Sequence, residues 1–204
     1  MFENVIGSWP GHEKFILTSC DEIYFQKYFP RFYKTYSRDW KLPIHVHIID
    51  PSPKSLDKLN TLDVSYTYCT TDKSVLRFQY SYETYCQAQR FILLGHKILE
   101  NQSVIVADVD SYSLREPNTY QKDLVSNNMA FTKYNDRLMA TFCNFHYSMK
   151  ALAKKAALMM QEMIENTSQV GVDQFVIKKI FAKKPYNDLK HGEWIRHRDI
   201  RTDR

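Results

Sequence analysis

The stretch "SVIVADVDSY", residues 103–112, constrains the fold more than any other part of the chain. Val104-Ile105-Val106-Ala107 is an unbroken apolar run, short and β-branched, as in a strand covered on both faces. Such strands belong to sheets layered between helices, so an α/β fold is expected. The run ends in two aspartates one residue apart, Asp108 and Asp110. The ends of parallel strands line the crevice where open α/β sheets bind ligands, which puts both carboxylates at a prospective site.

Three uses of the pair are open at this point. Aspartates commonly stop a strand and solvate its end. Two carboxylates at i and i+2 also suit a divalent cation, because Mg²⁺ and Mn²⁺ take hard oxygen ligands and share them with phosphates. Finally, Asp108 could be the nucleophile of a haloacid-dehalogenase-like phosphatase with Asp110 as its acid/base.

The rest of the chain supplies context. Residues 14–19 read as a first strand, and Asp21-Glu22 opens an aromatic helical stretch towards Arg38, broken or kinked at Pro30. Residues 44–49 form a second strand, closed by a turn at Asp50-Pro51-Ser52-Pro53. His45 and His47 share one face of it and, without a third ligand, read as half-buried strand residues. Residues 64–68 give a third strand. Tyr85, Ala88, Ile92 and Leu99 then mark one face of a helix over residues 82–99. Strand and helix thus alternate up to Asp108, the pattern of βαβ units and a mainly parallel sheet. Beyond it, residues 129–134 and 138–145 read as strands. Residues 149–165 read as a helix whose Leu152, Ala156, Met159, Met160 and Met163 stripe is core packing.

A chain of 204 residues that is 44% hydrophobic fits one domain with a sizeable core. No window reaches the roughly 18 apolar residues of a membrane span, and no signal peptide is apparent. The four cysteines lack a C-x-x-C pair, so reduced thiols in a cytoplasmic setting are expected rather than a zinc site or disulfide framework. The net charge of +5 is concentrated after Lys178, in a basic end that reads first as a solvated surface. The 14 tyrosines and 12 phenylalanines come without an RNA-recognition or zinc-finger pattern, so no nucleic-acid partner is expected. The five glycines are dispersed and form no phosphate-binding loop.

With this order, residues 14–180 resemble the GT-A fold nucleotide-diphospho-sugar glycosyltransferases, in particular retaining, family 8-like members. "FILTSCDEIYFQKYFPRFYKTY" is similar to their first strand and helix, "SYETYCQAQRFILLG" to the helix before the Asp-x-Asp, and "IVADVDSYSL" to the metal motif itself. "MATFCNFHYS" is similar to their acceptor-side strand and "GVDQFVI" to their Asp-Gln segment. The resemblance implies a Rossmann-like, mainly parallel sheet in a single domain. Residues 14–110 would be its nucleotide-binding half, 111–185 its acceptor side and 186–204 a basic tail. It further implies a nucleoside diphosphate sugar donor and a Mn²⁺ or Mg²⁺ cofactor. Thr18, Ser19 and Asp21 would face the nucleobase and Arg90 would reach the donor. Asp108 and Asp110 would hold the metal with His191, or less fittingly His197, and Asp108 could also bond the ribose. Asp173 and Gln174 would lie at the sugar; alternatively, Asp173 is simply the N-cap of an ordinary helix.

The acceptor, whether sugar, lipid or protein, is not specified. No lid or acceptor-binding extension is evident, so the chain reads as a minimal enzyme or as one completed by another chain, such as a second copy in a homo-oligomer. A phosphatase is disfavoured because about a hundred residues precede Asp108, whereas its nucleophile belongs on the first strand. A non-catalytic nucleotide-sugar-binding protein would use the same residues.

Overall fold

The computed structural model describes residues 4–72, 76, 81–118, 130–134, 137–182, 187–188 and 195–196. Strands β2 (Lys14–Asp21), β3 (Ile44–Ile49), β4 (Ser65–Cys69) and β5 (Ser103–Ala107) run parallel in the order β4-β3-β2-β5. Next to β5 lies β8 (Arg137–His146), antiparallel to it, and then β7 (Ala130–Tyr134), antiparallel to β8. Two-residue strands extend the edges: β1 (Ile6–Gly7) pairs antiparallel with β4, and β9 (Asn187–Asp188) parallel with β7. The sheet is therefore mixed, which corrects the expectation of a mainly parallel one. Residues 135–136 link β7 to β8, far too short a connection for the crossover that a parallel pair needs.

Among the described residues, helices α1 (Glu22–Trp40), α2 (Pro53–Asn60), α3 (Ser81–Lys97), α4 (Lys150–Asn166) and α5 (Val172–Phe181) cover the sheet. Alternation along the strands feeds two cores. Phe15, Leu17, Val104 and Val106 pack with α3, α4 and α5, whereas Ile16, Val46, Ile48 and Ile105 pack with α1 and α2. The apolar run before Asp108 is continuous because both its faces are covered. Each large side chain buried this way stabilises the fold by about 1.5–3 kcal/mol.

Helix α1 runs unbroken through Pro30, so of the expected break or kink the break does not occur. Pro30 and Gln26, whose carbonyl loses its helical donor, both lie on the exposed face. On the opposite face Phe25, Phe29 and Phe32 stack at 4.8 and 6.1 Å between centroids and hold the helix across that point. The turn expected at Asp50-Pro51-Ser52-Pro53 does end β3, and it also starts α2: Ser52 is the N-cap and Pro53 the first helical residue. Glu22 joins this start to α1 by accepting from the Ser52 backbone and from the Ser52 and Ser55 hydroxyls. Burial disfavours its charge, but these hydrogen bonds outweigh that and hold its pKa below the usual carboxylate value.

His45 and His47 are fully buried and satisfied within the sheet, where His45 bonds Ser65 and Thr67 and His47 bonds Thr67 and Cys69. Burial pushes both imidazoles down to about 3, so both are neutral at physiological pH. Leu99, read as the last residue of the α3 face, lies beyond the helix and is exposed.

Helices α3 and α4 pack through small residues. Met160 of the methionine stripe is buried, Met159 and Met163 pack half-buried beside it, and Ala153, Ala156 and Ala157 line the contact. Gly95 lets the helices approach: a Cβ there would meet the Ala153 carbonyl oxygen and the Ala157 Cβ, each at 2.6 Å. Gly95→Ala is expected to destabilise the fold by about 1–3 kcal/mol through overpacking, read as a lower urea midpoint at unchanged slope. A midpoint equal to wild type would show that the two helices can part at no cost.

The four cysteines are unpaired thiols. Among the described residues no helix is long and apolar enough to cross a membrane. Part of the basic end is woven into the structure: besides β9, β10 (Ile195–Arg196) pairs antiparallel with β6 (Tyr112–Ser113), two residues beyond Asp110.

Candidate functional site: a carboxylate cleft at the switch point of the sheet

From β2 the chain passes through α1 to β3 on one side, whereas from β4 it passes through α3 to β5 on the other side of β2. β2 and β5 are therefore parallel neighbours whose connections diverge, which opens a crevice beyond their C-terminal ends. A cleft of about 570 Å³ lies there, of a size that takes a small organic ligand. Its walls are Ser19, Cys20 and Asp21 from β2, Ile23 and Tyr24 from α1, Tyr82, Glu83, Cys86, Gln87 and Arg90 from α3, Asp108, Val109 and Asp110 after β5, and Asp173 from α5.

The aspartate pair is displayed by a tight turn. Ser111 N–H and Oγ both donate to the Asp108 carbonyl, at 3.0 and 2.6 Å, and Tyr36 Oη lies 2.9 Å from Ser111 Oγ in the core. Asp108 N–H donates to Thr141 of β8. Val109 is buried among the α1 side chains, so it pins the turn while the flanking carboxylates reach the cleft. Asp108 is thus not a solvating strand terminator: its side chain is 20% exposed, and its Oδ1 lies 2.5 Å from Arg90 Nη2.

Arg90 is the centre of the arrangement. Its guanidinium is buried, and Nη2 also lies 3.0 Å from Asp173 Oδ2 and 3.4 Å from the Ala140 carbonyl, while Nη1 donates to the Gln87 carbonyl at 2.6 Å. Burial opposes its charge, but Asp108 and then Asp173 overcome this and raise its pKa. For Asp173 burial dominates and raises the carboxyl above its ordinary range, with Arg90 only partly opposing. The two directions agree physically: one guanidinium cannot neutralise two carboxylates, and the more buried of them carries the deficit.

The sequence-derived residues separate accordingly. Ser19, Asp21, Arg90, Asp108, Asp110 and Asp173 converge on the cleft. Ser19 Oγ donates to the Cys86 carbonyl, and Asp21 is the N-cap of α1, accepting from Tyr24 N–H at 2.8 Å. Thr18, expected at the nucleobase, is instead fully buried and does not line the cleft, because alternation along β2 turns it away from Ser19. Gln174 does not line it either: its Oε1 accepts from Ala140 N–H at 2.8 Å and ties α5 to β8. Asp173 stands inside the first turn of α5, whose N-cap is Gly171. His191 and His197 lie outside the described residues. Tyr82 and Tyr24, at the β2 end of the cleft, were not foreseen as site residues; their signal was only a position at the start of a helix that follows a strand.

Among the described residues no group of three or more His, Cys, Asp and Glu side chains is placed to hold a metal ion. Asp108 and Asp110 nonetheless suit Mg²⁺ or Mn²⁺ in donor type, since such ions are commonly held by one or two carboxylates with substrate phosphates completing the shell. In comparisons with known proteins, no protein-family model matches the chain and no curated protein shows significant similarity to it.

Proposed function

We propose that the protein is a metal-dependent glycosyltransferase that moves a sugar from a nucleoside diphosphate sugar to an acceptor, on a fold of the GT-A kind. The observation that carries this reading is the placement of Asp108 and Asp110 at the switch-point cleft, opposite Ser19, Asp21 and the two tyrosines. A diphosphate placed beside the carboxylates would leave its nucleoside towards β2, whose Ser19 and Asp21 line the cleft together with Tyr24 and Tyr82. Asp108 and Asp110 would hold the cation, which supplies Lewis-acid neutralisation of the charge that develops on the departing diphosphate. Of the Asp-Gln segment only Asp173 lines the cleft, so it is the member that would meet the sugar. Retention of configuration rests on the resemblance of that segment alone. His191 stays a candidate third ligand through the resemblance alone.

The phosphatase alternative is weaker. Its nucleophilic aspartate needs an unencumbered oxygen and a neighbouring lysine, whereas Asp108 is held by Arg90 and no lysine lines the described cleft. The products decide between these readings. Given nucleoside diphosphate sugars and Mn²⁺ without an acceptor, the protein is expected to release free sugar and intact nucleoside diphosphate slowly, water taking the acceptor's place, with no inorganic phosphate. Binding without any release would make it a nucleotide-sugar-binding protein. Phosphate liberated from simple phosphomonoesters, and lost in Asp108→Asn, would make it a phosphatase.

A further inference from the structure

The geometry points to the outer face of α1 as a docking surface for an anionic bilayer. Ile23, Lys27, Arg31, Lys34 and Arg38 succeed one another at intervals of three or four residues, so they stand in line within an arc of about 80°. All are exposed, whereas Phe25, Phe29, Phe32 and Tyr36 on the opposite face are buried. Lys41, the C-cap, continues the line, which spans roughly 27 Å from Ile23. The stripe keeps a net positive charge. Of the acidic residues of α1, Glu22 is turned to Ser52 and Ser55, and Asp39 is buried and joined to Arg38. Lys41 lies 3.8 Å from Glu116. Among the described residues Lys27, Arg31 and Lys34 form no ion pair. Arg31 instead stacks on the Tyr112 ring, its Cζ 3.4 Å from the centroid, which holds the guanidinium at the surface without neutralising it. Helix α2 is mixed in charge, with Lys54, Asp57 and Lys58, so the excess belongs to α1.

Charge of this kind suits any polyanion, and the other end of the stripe selects the bilayer. Ile23 is 71% exposed and Tyr24 beside it 38%, and both line the cleft. An isoleucine so exposed gains nothing from phosphates in water, but it leaves water when it enters the headgroup zone of a membrane. The cations behind it then meet anionic headgroups, and the lip of the cleft rests on the bilayer. The arrangement is peripheral, because the apolar face of α1 stays in the core. It requires neither sugar donor nor metal ion, so it stands or falls apart from the reaction proposed above.

The test is co-sedimentation of the full chain with vesicles of phosphatidylcholine, alone or mixed with phosphatidylglycerol in equal parts. Wild type is expected to pellet with the mixed vesicles only, and to be released when salt shortens the screening length to about 3 Å. An exposed Lys or Arg at such a surface contributes about fivefold to partitioning, so Lys27→Gln, Arg31→Gln and Lys34→Gln should each weaken it about fivefold and together on the order of a hundredfold. Ile23→Ser should weaken it about threefold and leave the salt dependence unchanged. Lys154→Gln with Lys155→Gln, an exposed basic pair on α4, should bind like wild type. Should the triple variant not fold, the single variants carry the same contrast. Wild-type binding by the triple variant would move the contact to another surface, and failure of wild type to pellet with the mixed vesicles would make the stripe a solvated face. A single-stranded oligonucleotide bound by wild type and lost by the triple variant, with vesicles ignored by both, would make it a nucleic-acid surface. Each of these results overturns the inference and leaves the reading of the cleft as it was.

Discussion

Arg90→Ala is expected to lower folding stability by about 3–5 kcal/mol at neutral pH, the cost of leaving buried carboxylates without their counter-charge. From the resemblance, Arg90 reads as a residue that reaches the donor. Its surroundings also give it a structural part: the guanidinium lines the cleft from inside the protein, joined to Asp108, Asp173 and two carbonyls. The deficit should depend on pH. Without Arg90, the Asp173 carboxyl, already raised by burial, would move further above the unfolded value of about 4. A folded state that binds more protons than the unfolded one loses stability as pH rises. The destabilisation should therefore be small near pH 4 and grow towards neutrality, as urea titrations of both proteins across that range would read. Arg90→Lys should recover only part of the loss, because an ammonium cannot span the same acceptors from one position. A pH-independent loss below about 1 kcal/mol would mean that the carboxylates find other partners.

The order of elements was legible because strands β2, β3 and β5 are rich in apolar residues, continuous in β5 and broken only by His45 and His47 early in β3, and each is closed by charged or proline residues. Hairpin geometry was less so. The antiparallel placement of β8 beside β5 depends on the pairing of Ser103–Ala107 with Phe142–His146, contacts between residues about forty positions apart that no local pattern encodes. Pro30 as a helix breaker misled for a related reason. Its local effect is to remove one hydrogen bond on the wet side of α1, and the aromatic stack on the other side outweighs it.

At the site, the sequence pointed to the strand ends that border the cleft because Asp108 and Asp110 follow a covered strand directly. It could not show which partner each residue takes. Gln174 and Asp173 are adjacent in sequence, yet on helix α5 their side chains diverge by about 100°, so one meets Arg90 and the other the β8 backbone. Thr18 and Ser19 diverge more completely, to opposite faces of β2. A motif locates a segment, whereas the period of the element beneath it decides which of its members can meet a ligand.

Asp110→Ala provides the most direct test of what the cleft binds. Asp110 lines the cleft and is partly exposed, while Val109 and Ser111 are buried and hold the turn, so removing its carboxylate opens no cavity and should leave the unliganded thermal midpoint unchanged. A nucleoside diphosphate with Mn²⁺ at about a hundred times its dissociation constant would stabilise the wild type by about 2.7 kcal/mol, or roughly 5–10 °C for a chain of this size. Neither Mn²⁺ nor the diphosphate alone should do so, because each depends on the other's charge: the acidic wall repels a bare diphosphate, and two carboxylates complete only part of a metal shell. In Asp110→Ala the joint stabilisation should vanish. The pairing matters more than either ligand, since a cation site of structural kind would respond to Mn²⁺ alone and a basic phosphate site to diphosphate alone. If Asp110→Ala shows the wild-type shift with both present, the cation is held elsewhere and the Asp108–Asp110 pair reverts to a strand end; if the wild type shows no shift with any base, the cleft takes a different class of ligand.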